Sequence, residues 1–469
     1  MTQLAAQEFE ALVQQVMAKL SQPAGEMPRA AHFRGVFASP DEAVAAARQA
    51  QACFRRTPLS QRKAMIEAMR QTSIEHAQPL AQLAVDETRM GRVTDKVFKN
   101  VLAAEKTPGV EFLPNEAFVG DHGLTIEECA PYGTILAITP TTNPIATVIN
   151  NAISMVASGN AVVFAPHPTA QKSSLTTMDL LNEAIESVGG PANLLTATSQ
   201  ATIEAAQVLM AHKGINLIVA TGGPAVVDAA LRSGKRAIGA AAGNPPALVD
   251  DTADAVKAAR DIIAGHSFDN NMPCTSEKEV IVTAGIADAL FAAFKAMPEV
   301  CVLPANLLPQ LEKVVLNETR TGPNRKYIGQ NACVILKELG IPANEDLRAI
   351  VCEVRADHAF VRHELMMPVL GVVRSGTFEQ AVELAIEVEE GLRHSAIIHS
   401  SNIYHMSEFG RAINTTVFVK NAPSYAGLGF GGEGHTSFTI AGRTGEGLTT
   451  ARTFTRIRRC TLVGAFSAV

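Results

Sequence analysis

The stretch with the clearest chemical content is His266-Ser267-Phe268-Asp269-Asn270-Asn271-Met272-Pro273-Cys274-Thr275-Ser276-Glu277-Lys278. It lies between an Ala-rich helical run, Thr252 to Ile263, and a β-prone run, Glu279 to Thr283. Asn-Asn-Met-Pro cannot continue a helix, because proline lacks the N–H and restricts the residue before it. The segment therefore reads as a loop presenting Cys274 off the end of a scaffold element, where reactive groups concentrate. A thiolate so presented is a candidate for covalent catalysis. A lone cysteine is also commonly a small buried apolar residue, so the elements around it must decide.

Those elements come in two alternating series. β-prone runs at 133–139, 161–165, 193–198, 215–220 and 235–239 alternate with helical stretches, as do runs at 247–249, 279–283, 349–354, 368–373, 396–399 and 416–420. Such alternation predicts α/β architecture with two doubly wound parallel sheets, Cys274 belonging to the second. Ligands of such sheets bind at the carboxyl ends of strands. In the first half those ends carry Thr139-Pro140-Thr141-Thr142-Asn143, Ala165-Pro166-His167-Pro168 and Thr221-Gly222-Gly223-Pro224, so Thr139, Pro140, Thr141, Pro166, His167, Gly222 and Gly223 are nucleotide-binding candidates. The GxGxxG match, Gly427 to Gly432, opens no helical run and is discounted, and there is no GxxxxGK[ST] loop.

Before these units, residues 4–20 put Leu4, Phe9, Leu12, Val13, Val16, Met17 and Leu20 on one stripe of an amphipathic helix, followed by a Pro/Gly linker. The stripe either packs on the body or docks on a partner. Ser39-Pro40-Asp41-Glu42 spells a helix start with a capping box, and helices are expected on through 43–55, 60–74, 79–89 and 94–104. The resulting division is 1–20 docking helix, 21–35 linker, 36–240 nucleotide-binding domain, 241–433 catalytic domain and 434–469 C-terminal tail. Residues 115–130 and the tail are expected to form a small β oligomerisation element. The tail is basic, and its arginines are expected to pair across a subunit contact.

Composition narrows the function classes. The chain has 469 residues, 47% of them hydrophobic and 18% charged, enough to bury large cores. A net charge of −6 argues against nucleic acid as a partner. Seven cysteines without a CxxC pair exclude a zinc-ribbon pattern and fit a reducing cytosol, and no metal-ligand cluster is legible. No secretory signal is legible at the start. The stretch between Glu128 and Lys172 lacks Lys, Arg, Asp and Glu, yet Thr139–Pro144, Asn150-Asn151 and Gly159-Asn160 interrupt it. A span needs ~20 apolar residues in a row, so the stretch reads as strand, turn, buried helix, strand, and no membrane association is expected.

Several segments together resemble the aldehyde dehydrogenase superfamily, and within it the CoA-acylating propionaldehyde and acetaldehyde dehydrogenases of bacterial microcompartments. They are Thr139-Pro-Thr-Thr-Asn143-Pro144, Phe164 to Pro168, Gly239 to Pro246, Phe268 to Cys274, Val388 to Ala396, Val419 to Gly429, Gly431 to Gly434, Thr444 to Gly447 and Ala451 to Arg456. The likeness runs from about residue 36 to 469. It implies Cys274 as nucleophile, and Asn143 as the amide that forms an oxyanion hole with the Cys274 N–H. It implies Glu364, in Glu364-Leu-Met-Met-Pro368, as the carboxylate holding the nicotinamide ribose, with Met366, Ala241 and Gly243 also at the cofactor. Asn143 could otherwise be a turn residue, and Glu364 a surface carboxylate at a helix end. His394 lies in a matching motif without an assigned role.

Two departures matter. Hydrolytic relatives carry a glutamate that activates the deacylating water, whereas Ile238 to Pro246 holds no carboxylate. Without a base, water attacks a thioester poorly, and the CoA thiol is the better acceptor. The lysine and glutamate that usually grip the adenosine ribose are also missing, which leaves NAD expected and NADP open. The resemblance thus implies oxidation of a short-chain aldehyde, propanal or acetaldehyde, with CoA as co-substrate. It further implies a homodimer or homotetramer in the cytoplasm, inside a microcompartment whose shell or core proteins bind residues 1–20. The competing expectations are a hydrolytic dehydrogenase, a cysteine acyltransferase without redox chemistry, and a catalytically silent assembly protein.

Overall fold

The computed structural model describes residues 33–465, together with Val13, Gln14 and Ala18 in helical conformation. The rest of the amphipathic segment 4–20 and most of the linker 21–35 lie outside the described residues. Two compact units divide the described residues: 88–96 with 241–434, and 33–87 with 97–240 and 435–465.

The second of these units holds a six-stranded parallel sheet ordered Val36–Phe37, Leu195–Thr198, Ala161–Pro166, Thr134–Thr139, Leu217–Thr221, Ala237–Ala240. Each expected strand is present to within about two residues, and Val36–Phe37 is added. The charge-free stretch is the centre of this unit. Strands Thr134–Thr139 and Ala161–Pro166 are buried throughout, and so is the helix Pro144–Ala157 between them. The residues must be apolar on every side, which is why the run mimics a membrane segment. Among the described residues no helix is long and apolar enough to cross a membrane. The capping box also forms: Glu42 N–H donates to Ser39 Oγ, and Ser39 N–H donates to the Glu42 carboxylate, opening the helix Pro40–Phe54.

Outside this sheet, Glu116–Gly120, Gly123–Pro131 and Thr455–Val463 form an antiparallel three-stranded sheet. Within this sheet Arg459 stands opposite Glu127 of its own chain, with Nε donating to the carboxylate at 2.8 Å. Direct cross-strand opposition satisfies it locally.

The Cys274-bearing unit holds a seven-stranded parallel sheet ordered Val300–Val302, Ala349–Glu353, Val369–Ser375, Glu279–Thr283, Pro246–Val249, Ser395–His399, Val417–Lys420. The chain is thus α/β with two doubly wound parallel sheets. The four central strands of this sheet are adjacent and start in near register, with Glu279 level with Gly371 and Pro246. Segments entering these strands therefore converge at one edge, and that edge positions the site.

Candidate active site

In the Cys274 unit, Gly243, Cys274, Glu364, Met366 and His394 all precede one of those four strands. The candidate groups meet at the amino ends of the strands, the reverse of the carboxyl-end expectation for open α/β sheets.

The loop that presents Cys274 begins where the helix Ala255–Ser267 stops. Asp269, Asn270 and Asn271 have φ of 48°, 55° and 64°, three successive left-handed residues. Each costs about 1–2 kcal/mol for an L-residue, least for Asn and Asp, which is the local reason for Asp-Asn-Asn. Side chains and backbone hold the run. Asp269 accepts from Lys96 Nζ at 2.9 Å and from Arg92 N–H at 2.7 Å, and its own N–H donates to Asp95 at 2.8 Å. Asn270 Nδ2 donates to the Gly329 carbonyl at 2.9 Å and Asn331 Oδ1 at 2.8 Å, while Asn271 Nδ2 donates to the carbonyls of His266 and Glu277. The residues before and after Cys274 are buried, and Cys274 itself is partly exposed.

Around Cys274 the unit packs closely. A methyl group at Gly243 would lie 2.8 Å from His394 Cγ and 3.1 Å from the Cys274 carbonyl oxygen, so only glycine fits there. Next along, Asn244 turns its Nδ2 away to the carbonyls of Val361 and Val388. His394 is buried, its Nδ1 sits 2.8 Å from Ser395 Oγ, and its Nε2 finds no hydrogen-bond partner among the described residues. Burial first, and the Lys278 charge second, lower its pKa to about 4, so it is neutral at pH 7.

Lys278 lies at the base of the loop with its side chain 1% exposed. Its ammonium donates to Asn271 O at 2.9 Å, Asn271 Oδ1 at 2.8 Å and Pro273 O at 3.2 Å, and stands 3.3 Å from Glu364 Oε1. Glu364 is therefore no surface carboxylate. Burial raises its pKa while Lys278 opposes the rise. Met366 has φ of 52° and its carbonyl accepts from Gly329 N–H. Neighbouring Glu279 is fully buried, with both carboxyl oxygens lacking a partner among the described residues, and burial raises its pKa well above the ordinary range. Sequence reasoning missed Lys278 and Glu279, since nothing in their spacing marks them as inward-facing.

In the other unit the candidate residues occupy the carboxyl ends of adjacent strands, at the point where strand order reverses between Thr134–Thr139 and Leu217–Thr221. Asn143 sits at the N-cap position of Pro144–Ala157 but makes no capping bond. Its Oδ1 instead accepts from Lys99 Nζ at 2.5 Å, and its Nδ2 lies 3.2 Å from Thr142 Oγ1. An ammonium has only donors, so this contact fixes the amide flip, and the NH2 donates to Thr142 Oγ1. Lys99, 2% exposed, escaped the sequence reading because it lies on an otherwise amphipathic helix, Val93–Lys106.

The helix starts at these ends differ in how far their N–H groups are already satisfied. At the helix Gln171–Ser187 the N–H groups of Lys172 and Ser173 are taken by the Glu87 carboxylate at 2.7 Å each, so that helix start is satisfied from within. At the helix Pro224–Leu231, Gly223 is exposed and a methyl there would meet nothing within 4 Å. A phosphate can approach this start. Pro166 ends its strand in a buried position, and exposed His167 uses Nδ1 to accept from Thr169 N–H in the turn that follows. Ala241 lies in the partly exposed chain between Ala237–Ala240 and Pro246–Val249.

One doubly wound unit thus carries an open strand-end glycine turn, and the other a braced, partly exposed cysteine. The aldehyde dehydrogenase family model matches residues 18–307. The acetylating acetaldehyde dehydrogenase EutE of Salmonella typhimurium is 47% identical over 470 residues, covering 99% of either chain. A solved propionaldehyde dehydrogenase of Rhodopseudomonas palustris, with bound CoA and an acylated cysteine, is 46% identical with a TM-score of 0.90, covering 92% of this chain and 98% of that one. Another, from the fucose utilisation bacterial microcompartment of Clostridium phytofermentans, is 47% identical with a TM-score of 0.91, covering 93% and 100%. The chain belongs to the aldehyde dehydrogenase family.

Proposed function

We propose that this chain is a CoA-acylating aldehyde dehydrogenase, converting a C2 or C3 aldehyde and CoA to acyl-CoA while a nicotinamide nucleotide is reduced. The observation that carries this reading is Cys274, packed with Gly243 and His394 beside a stretch that holds no carboxylate. The Cys274 thiolate adds to the carbonyl carbon, leaving an oxyanion. The Cys274 N–H and the Asn143 amide are its proposed donors, each worth roughly 2.7–4 kcal/mol in comparable sites. The nicotinamide ring, when bound, supplies the acceptor for the aldehyde hydrogen as hydride. Thr139, Pro140, Thr141, Gly222 and Gly223 would hold that nucleotide, with Glu364 at its ribose. The acyl group is left on Cys274 as a thioester. With no carboxylate in Ile238 to Pro246 to activate water, the CoA thiolate takes the acyl group, a sulfur-for-sulfur exchange that restores the Cys274 thiolate. Aldehyde, CoA thiol and oxidised nucleotide thus give acyl-CoA, reduced nucleotide and one proton.

The same reading extends to assembly. Phe118, Val119, Ile457, Leu462 and Val463 are 46–76% exposed on the antiparallel sheet, an apolar surface suited to a second copy. Residues 1–20 are the proposed docking segment for a microcompartment shell or core protein, the helix-in-groove mode. The test of the chemistry is Cys274→Ala, which should bind nucleotide and melt normally but form no reduced nucleotide. Retained turnover in that variant would remove Cys274 from the mechanism.

A further inference from the structure

The peptide unit joining Pro273 to Cys274 carries the Pro273 carbonyl on one side and the Cys274 N–H on the other, pointing in opposite directions in a trans peptide. The carbonyl accepts from Ser276 N–H at 3.1 Å and from Lys278 Nζ at 3.2 Å. A buried full positive charge is thus bonded to the acceptor end of the peptide whose donor end belongs to the nucleophile. We propose that Lys278 is a positioning residue for the reaction: by fixing and polarising the Pro273–Cys274 peptide, it prepares the Cys274 N–H to receive the oxyanion formed when the thiolate adds to the aldehyde.

Three features support this role over simple bracing. The loop already has braces that need no lysine: Asn271 Nδ2 spans the carbonyls of His266 and Glu277, and Asn270 ties to Gly329 and Asn331. Burying an ammonium costs several kcal/mol, so a neutral donor would brace the turn at lower cost. A charge on a peptide oxygen also strengthens the N–H of the same peptide as a donor, since linked hydrogen bonds polarise one another. The ammonium is balanced by Glu364 at 3.3 Å, and His266, Glu279, Glu389, His394 and Arg362 are further titratable groups near this cluster. The inference rests on Cys274 being the nucleophile.

The test uses Lys278→Met and Lys278→Gln in the full chain, with three readouts. These are the melting temperature, the rate of the first-turnover burst of reduced nucleotide, and the rate of Cys274 alkylation by iodoacetamide, followed on its own peptide by mass spectrometry. Alkylation needs the thiolate but builds no oxyanion, whereas addition to the aldehyde needs both. The burst should slow about ten- to a hundred-fold in Lys278→Met, less than the loss for removing a donor outright. Lys278→Gln keeps a donor without the charge and should fall between Met and wild type. Alkylation should stay within about threefold of wild type from pH 6 to 9 in both. An unchanged burst in either folded variant overturns the proposal. So does a parallel fall of burst and alkylation with a shifted pH profile, which would place Lys278 on the thiol instead. If Lys278→Met does not fold, Lys278→Gln decides alone, and failure of both to fold makes the lysine structural and overturns the idea. A burst that survives in Cys274→Ala would refute the nucleophile assignment itself, whatever Lys278 does.

Discussion

Glu277, three residues after Cys274, gives a quantitative test of how the Cys274 loop is built. It is fully buried, accepting from Ser424 N–H at 2.8 Å and Ser424 O–H at 2.7 Å. Burial drives its pKa from 4.5 up to about 8, nearby Asp261 adds to the rise, and the Ser424 bonds oppose it. A raised carboxylate means that the native state holds a proton the unfolded chain has lost. Its contribution to stability is therefore full below pH 4.5 and is lost as pH rises towards 8. The slope is about 1.4 kcal/mol per pH unit, so going from pH 6 to pH 8 costs about 2 kcal/mol through this group. Glu277→Gln keeps the shape and the Ser424 contacts but cannot ionise. Relative to wild type, the variant should gain about 2 kcal/mol in urea unfolding between pH 6 and pH 8. His266, His394 and His399, buried with pKa values lowered to about 4, 4 and 3, titrate equally in both proteins and cancel from the difference. Stability curves that run parallel across this window would refute the buried-acid account.

Other perturbations address the site and its support. Asn143→Ala should reduce the burst rate ~10²–10³-fold, the scale for losing one oxyanion donor; an effect confined to KM would assign it a binding role instead. Asp269→Ala removes a fully buried partner of Lys96 and a favoured left-handed residue, and should cost about 3–5 kcal/mol in chemical denaturation. Adding Lys96→Met should recover part of that loss, and a double variant no more stable than the single would contradict the pairing. On the proposed docking role of residues 1–20, deleting them should leave solution kinetics unchanged and abolish enclosure in a microcompartment, read by fractionating a fluorescent fusion. A lowered melting temperature with lost activity would show instead that the segment packs on the enzyme.

Much of the scaffold was legible because each half alternates β-prone and helical runs, and because charge is excluded from 129–171 where two central strands and a helix are buried. Val36–Phe37 and Val300–Val302 are too short for any periodicity to register. Cys274, Asn143 and Glu364 could be named from motifs, but their supports could not. Asp-Asn-Asn reads as a generic turn, and its three left-handed residues exist because Lys96, Arg92, Gly329 and Asn331, distant in sequence, hold them. Lys99 and Lys278 look like ordinary charged residues until the fold buries them. The carboxyl-end rule also pointed away from the amino-end edge where Cys274 and His394 meet, because it concerns strand direction and not where a family has placed its nucleophile.

The central claim is that Cys274 holds an acyl group that a thiol, and not water, removes. Mixing the enzyme with propanal or acetaldehyde and NAD, first without and then with CoA, tests it most directly. Without CoA, one equivalent of NADH per active site should form in a burst and then stop, with the acyl mass on the Cys274 peptide. Adding CoA should start steady turnover to acyl-CoA. Continuous NADH formation with free acid as product in the absence of CoA would contradict the account and require a water-activating base in the site.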